Sequence, residues 1–378
     1  MNIVIVNSSD TFEYRADMVY AYFSKRNHTV TVLSSDFMHI EKKRRQCTKK
    51  DYIYLRTIPY KKNISLKRLY SHYRFSRKCI RWLQKKQFDL LYIVIPPNCQ
   101  SAIAKKYAKC NEVKIVMDII DMWPESFPSK NTDHFLFRQW GKLRDRNLKY
   151  ADYIITECDL YQEKLKKFLS GIKVQTIYWS HQDNALPGKA AVATPMTADE
   201  IHLCYLGSIN HIIDISKIGE IISSIANEKK VVLKIIGGGE RKELLISAAE
   251  ENGATVHDYG KVYDHKTKKE IMDTCHYGLN IMKDTICVGL SMKSVDYLEN
   301  GLPVINNLPG DMAQIVYKER CGVNISDSDW LDQVLVKSVN SDIRVNALEC
   351  YRKYFSKDMF ETQLKKVVDE VIADSQRW

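Results

Sequence analysis

No apolar run in the chain approaches the ~20 residues that a membrane-crossing helix needs, so the pattern predicts no transmembrane segment. The first residues, "MNIVIVNSSDTF", carry neither a basic lead nor a small-residue cleavage site, and they read as an opening strand rather than a signal peptide. Ten cysteines are present, but none forms a C-x-x-C pair. Cys47, Cys79, Cys158 and the rest are spaced like reduced thiols, which argues against a disulfide scaffold and against zinc. There is no internal repeat and no low-complexity tract. Acids are scarce in one region, where residues 42–86 carry 17 basic side chains and a single carboxylate, Asp51.

What remains is globular, with 45% hydrophobic and 27% charged residues over 378 positions, a length that favours two domains over one core. The net charge of +11 is unevenly spread. Residues 1–182 hold 34 Lys/Arg against 17 Asp/Glu, a balance of +17, and residues 183–378 hold the other 23 against 29, a balance of −6. Such asymmetry points to an anionic partner for the first half.

Short β-branched runs alternate with helical patterns along the whole chain. "IVIVN", "TVTVLS", "YIYLRTI", "LLYIVIP", "KIVMDII", "YIITEC" and "VQTIYW" read as strands apolar on both faces, as in a parallel sheet covered by helices. Residues 183–200, "DNALPGKAAVATPMTADE", break the pattern and read as a linker. The alternation then restarts with "HLCYLGS", "VVLKIIG", "ATVHDYG", "YGLNIM", "PVINN" and "GVNIS", and it closes on an amphipathic helix bearing Met359, Phe360, Leu364, Val367, Val368 and Val371. The expected fold is α/β, with two doubly wound Rossmann-like domains facing a cleft, residues 1–184 and 185–355, and a C-terminal helix, 356–378, crossing back to the first.

The candidate chemistry of the second half lies at strand ends. Gly207 in "YLGSIN" and Gly237 in "IIGGGER" would let a ligand approach the backbone, although glycines after a strand also serve as plain turns. "GLSMKSVDYLENGLPVINN" is more informative. Ser291 can cap a helix starting at Met292, whose free N–H groups favour an anion. Lys293 adds a full charge, and Asp296, one turn on, suits two vicinal ribose hydroxyls. The same residues also fit a capped surface helix with incidental charges.

This segment resembles the donor-site segment of glycosyltransferase family 4, and "YLGSIN", "LKIIGGGER" and "VHDYGKV" resemble its other landmarks in order. "VMDIIDMWPESFP" is similar to a segment of members that build bacterial surface polysaccharides. The resemblance implies a GT-B fold, retention at the anomeric carbon and no catalytic metal or other cofactor, with a nucleotide-diphosphate sugar, a UDP-sugar favoured, as co-substrate. It implies that Asp296 binds ribose, that Gly289, Leu290, Ser291, Met292 and Lys293 meet the diphosphate and donor sugar, that Gly207, Ser208 and Gly237 belong to the same site, and that Lys261 and Val262 meet the base. Two departures stand out: Val288 occupies the place of the family's first acid, and Ser208 that of a common arginine. The triplet Asp327-Ser328-Asp329 reads as a helix start rather than a metal motif.

In the first half, Asp121 ends the strand "KIVMDII" and could orient an acceptor hydroxyl or simply begin a turn. Asp118, inside that strand, is expected to have a structural partner. Ser8 and Arg15, after the first strand, are candidates for acceptor binding, Arg15 alternatively being a solvated helix charge. Residues 65–86 read as an amphipathic basic helix, with Leu66, Leu69, Tyr70, Tyr73, Ile80 and Leu83 on one stripe, suited to an anionic bilayer or to core packing beneath a solvated face.

The resulting expectation is a cytoplasmic glycosyltransferase, peripheral on the inner face of the plasma membrane. It would use Asp121 and Lys293 in catalysis and act on a lipid-linked or oligosaccharide acceptor, with no specific nucleic acid as partner. The rival readings are a sugar-nucleotide epimerase or hydrolase of the same fold, a basic nucleic-acid-binding protein, and a non-catalytic partner subunit of a glycosyltransferase.

Overall fold

The computed structural model describes residues 1–63, 65–108, 113–127, 135–181, 199–337 and 342–373. The expected linker, apart from residues 199 and 200, and the boundary expected at 184/185 lie outside the described residues. The chain divides into two compact units, Met1–Tyr178 joined by Phe360–Trp378, and Trp179–Met359.

Unit one is built on strands β1 (Asn2–Asn7), β2 (Thr29–Ser35), β5 (Tyr52–Leu55), β6 (Leu90–Ile95), β7 (Lys114–Ile119), β8 (Tyr153–Thr156) and β9 (Lys173–Thr176). They pair in parallel in the order β5-β2-β1-β6-β7-β8-β9. The central strand β6, "LLYIVI", is buried at every position, which is why it reads as an unbroken apolar run. A two-residue hairpin, β3 (Phe37–Met38) and β4 (Lys43–Arg44), was not legible in the sequence.

Unit two repeats the plan with β10 (Glu200–Ser208), β11 (Lys230–Gly238), β12 (Ala254–Asp258), β13 (Tyr277–Asn280), β14 (Val304–Asn306) and β15 (Gly322–Asn324), all parallel, in the order β12-β11-β10-β13-β14-β15. In both sheets the order reverses beside the first strand, the place where open α/β sheets leave room for ligands at the carboxyl ends.

The final helix, Lys357–Ala373, buries Phe360, Leu364, Val367, Val368 and Val371. It belongs to unit one, where Glu361 pairs with Lys25 and Arg26. Gln363 accepts a hydrogen bond from Gln175 of β9.

The basic helix Leu66–Leu83 differs from expectation in its facing. The buried set is Arg68, Ser71, His72, Phe75, Ser76, Cys79 and Leu83, whereas Leu66 (77% exposed), Tyr70 and Tyr73 (51% each) stand in solvent. The inward face is largely polar, so an apolar stripe could not locate it. Among the described residues no helix is long and apolar enough to cross a membrane.

Candidate functional site

The site in unit two starts from the register of three strands. Asn280, Asn306 and Asn324 are paired partners at the ends of β13, β14 and β15. Their side chains form a buried ladder, Asn280 donating to Asn306 Oδ1 (2.8 Å) and Asn306 to Asn324 Oδ1 (2.9 Å). The free oxygen of Asn280 accepts the Ser291 hydroxyl at 2.6 Å. Ser291 in turn caps the helix Met292–Glu299, accepting the Ser294 N–H at 3.2 Å. The ladder thus fixes where this helix begins. Gly289 is buried, its carbonyl bonded to the Met312 N–H (3.0 Å); Leu290 is buried and Met292 exposed.

Lys293 points inward and is 9% exposed. Its Nζ lies 3.2 Å from the Tyr205 hydroxyl and 4.3 Å from the centre of that ring. Among the described residues no carboxylate pairs with it, and burial pushes its pKa down to about 7. The Tyr205 hydroxyl donates to the Ser208 carbonyl (3.0 Å). Two sequence candidates from separate motifs, Lys293 and Ser208, are therefore joined through a tyrosine that the motifs did not single out.

The glycines at the ends of β10 and β11 are there for close approach. A Cβ on Gly237 would meet the Gly207 carbonyl oxygen at 2.0 Å, and Gly207 itself adopts φ +107°, a region that favours glycine. Lys261 is exposed and passes over Gly238, where an added Cβ would stand 3.2 Å from its Cε; Val262 is half-buried.

Asp296 is half-buried, and among the described residues no side chain donates a hydrogen bond to its carboxylate. Burial raises its pKa, opposed by His181 and Lys268. One ligand atom each from His181, Asp296 and Glu299 lie within 4.8 Å of one another, a grouping that could also hold a cation. His181 Nδ1 is 2.8 Å from Glu299, and the Tyr351 hydroxyl donates to the other Glu299 oxygen at 3.4 Å. The triplet Asp327–Asp329 leads into the helix Trp330–Lys337, whose Gln333 N–H donates to the Asp329 carbonyl.

In unit one, Arg15 is a core residue rather than a solvated helix charge. It is 2% exposed and grips Asp118 through Nε (2.8 Å) and Nη2 (3.2 Å). It also donates to the carbonyls of Tyr178 (2.9 Å) and Ile177 (3.0 Å), and stacks 4.7 Å from the Phe360 ring. Tyr92 donates to the same Asp118 at 2.5 Å. Four of its five N–H donors are thus used within unit one. Ser8 is buried, with a hydroxyl that has no partner among the described residues. Asp121 follows β7 and accepts the Trp123 indole N–H at 2.7 Å. Burial raises its pKa, opposed by the Trp123 hydrogen bond.

No family model and no curated protein matches the chain. Solved structures match over its whole length. Sucrose-phosphate synthase from Thermosynechococcus elongatus is 11% identical, covering 99% of this chain and 100% of that one, with a TM-score of 0.71. The lipopolysaccharide outer core galactosyltransferase WaaB is 13% identical over 98% of this chain and 99% of its own, with a TM-score of 0.67. Anabaena HepE, solved in complex with UDP, is 12% identical over 98% and 100%, also at 0.67. Such likeness establishes a shared architecture, the GT-B fold, with its two Rossmann-like parallel-sheet units and closing C-terminal helix.

Proposed function

We propose that the protein is a glycosyltransferase that moves a sugar from a nucleotide-diphosphate sugar, a UDP-sugar by preference, to a lipid-linked or oligosaccharide acceptor of a bacterial surface polysaccharide. The observation that carries this reading is Lys293, a buried amine with no carboxylate paired to it among the described residues, beneath the end of β10. A buried charge is costly until something neutralises it. A diphosphate seated on the glycine-lined strand ends would do so, helped by the N–H groups at the start of the helix Met292–Glu299. Solved relatives in fold support the choice of ligand: HepE has been crystallised with UDP-glucose, and another GT-B protein with UDP-2-fluoro glucose.

In this reading the bond from the anomeric carbon to the diphosphate breaks, and negative charge collects on the leaving oxygens. Lys293 and the helix amides stabilise that charge from fixed positions, the arrangement that contributes most where donors are preorganised. The acceptor oxygen attacks from the same face, with retention, and its proton passes to the departing diphosphate. Asp121 orients the acceptor hydroxyl, Asp296 the ribose, and Lys261 and Val262 flank the base. These groups supply the positive charge and the orientation without a metal.

The exposed Leu66, Tyr70 and Tyr73 share the outer face of their helix with Lys67, Arg74, Arg77 and Arg81. That combination suits an anionic bilayer at the cytoplasmic face, each basic group contributing about 1 kcal/mol near such a surface. A thermal-shift panel of nucleoside diphosphates and nucleotide sugars tests the donor site. One base class, UDP, should raise the melting temperature, and Asp296→Ala should reduce the shift. A flat response to every nucleotide would refute the reading.

A further inference from the structure

Arg68, in the first turn of the helix Leu66–Leu83, is 5% exposed. Its Nη1 donates to the Asn63 carbonyl (2.6 Å), and its guanidinium lies 4.3 Å from the Trp123 ring centre. Its Nε is buried without a hydrogen-bond partner, and among the described residues no carboxylate forms an ion pair with it. One turn on, His72 is 7% exposed; its ring stacks on Trp123 and its Nδ1 is likewise buried and unpartnered. Burial and the Arg68 charge hold His72 neutral, and the same causes bring His39 down to about 3. Lys42 Nζ joins the group, 3.2 Å from His39 Nδ1 and bonded to the side chain of Asn63, whose carbonyl Arg68 holds. Ser65 caps the helix here, accepting the Arg68 N–H at 3.2 Å.

The nearby acids are occupied elsewhere. Asp10 accepts the backbone N–H groups of His39 and Ile40, and Asp121 holds the Trp123 indole. The chain has therefore collected two cations, a neutral imidazole able to donate and a helix start, and among the described residues no carboxylate is in ion-pair contact with either cation. Charge-assisted donors clustered at a helix start are the arrangement that binds phosphate.

We propose that Arg68, His72 and Lys42, with the capped start of their helix, form a second anion site that binds a phosphate ester. On the glycosyl-transfer reading above, this is the phosphate end of the acceptor, so the acceptor is a phosphorylated molecule rather than a neutral glycan. The site stands on its own geometry in unit one and is separate from the donor groups of unit two.

The test is a thermal-shift titration with inorganic phosphate at constant ionic strength, run with UDP saturating so that the donor site is filled. Phosphate should raise the melting temperature of the wild type and of Lys293→Gln, and Arg68→Gln should remove the response while keeping the UDP response. Lys42→Gln, a milder change at the rim that serves if Arg68→Gln does not fold, should weaken phosphate binding several-fold. A phosphate response unchanged in either unit-one variant, or lost in Lys293→Gln, overturns the proposal. Absence of a UDP response with the phosphate response intact would overturn the donor reading and leave this site standing. Flotation with vesicles containing a polyprenyl phosphate, against a soluble sugar phosphate in the titration, tells a lipid source from a free one. Loss of both the flotation and the sugar-phosphate response in Arg68→Gln is expected, and their retention refutes the site.

Discussion

Arg15 and Lys293 are both basic, both buried and both at the carboxyl end of a parallel sheet, yet their surroundings are opposite. Arg15 has a bidentate carboxylate, two carbonyls and an aromatic face. Lys293 has one tyrosine. The contrast separates a cation that the fold uses to hold itself together from one that the fold leaves for something else. Burial alone does not distinguish them; the presence or absence of a counter-charge does.

The strongest way to break the comparison is to remove the counter-charge where it exists. Asp118→Ala strands the Arg15 guanidinium in the core and should destabilise unit one by about 3–5 kcal/mol, as for other broken buried pairs. Urea unfolding measures it, and a loss below about 1 kcal/mol would show that Arg15 is not the anchor the hydrogen bonds describe. Next in size is Lys293→Met. Removing a buried cation that has a tyrosine but, among the described residues, no carboxylate beside it should leave stability unchanged or improved, while UDP affinity, read by calorimetry, falls at least about tenfold, the worth of a charge-assisted hydrogen bond.

The pH dependence sharpens the same point. Folded Lys293 titrates at about 7 against its ordinary 10.5, so between these values the unfolded chain binds the extra proton. Stability should therefore rise with pH across that window, at most on the order of 1.4 kcal/mol per unit, and the slope should vanish in Lys293→Met. A diphosphate prefers the protonated lysine, so UDP affinity should fall as pH rises above about 7 in the wild type only. The smallest expected effect belongs to Asp296→Ala. It should cost about 1 kcal/mol and abolish any preference for UDP over 2′-deoxy-UDP, measured by competition binding. An undiminished preference would place the ribose elsewhere.

Much of this was legible in the sequence. The thirteen strands of the two sheets match the expected runs, most plainly in the central ones such as β6, which are covered on both faces and therefore apolar throughout. The helix start at Met292 was legible because Ser291 is a residue type that caps, with Lys293 and Asp296 placed in the turns that follow. What was not legible depends on distance in the chain. Arg15 resembles any solvated helix charge until Asp118, 103 positions away, is placed beside it. The asparagine ladder appears only once β13, β14 and β15 are in register. Arg68 was counted with a basic surface and His72 was not singled out, because an inward polar face has no apolar period to mark it.

The helix Lys357–Ala373 carries one further consequence. Because its residues from Phe360 onward complete unit one, that unit is assembled from two separated stretches of chain, with unit two as an uninterrupted insert between them. On the ribosome, the insert has its whole sequence in hand before Phe360 is made, whereas unit one waits for this later stretch before Arg15 receives its aromatic cover. A break just after Met359 therefore injures the unit that precedes the insert and spares the insert itself.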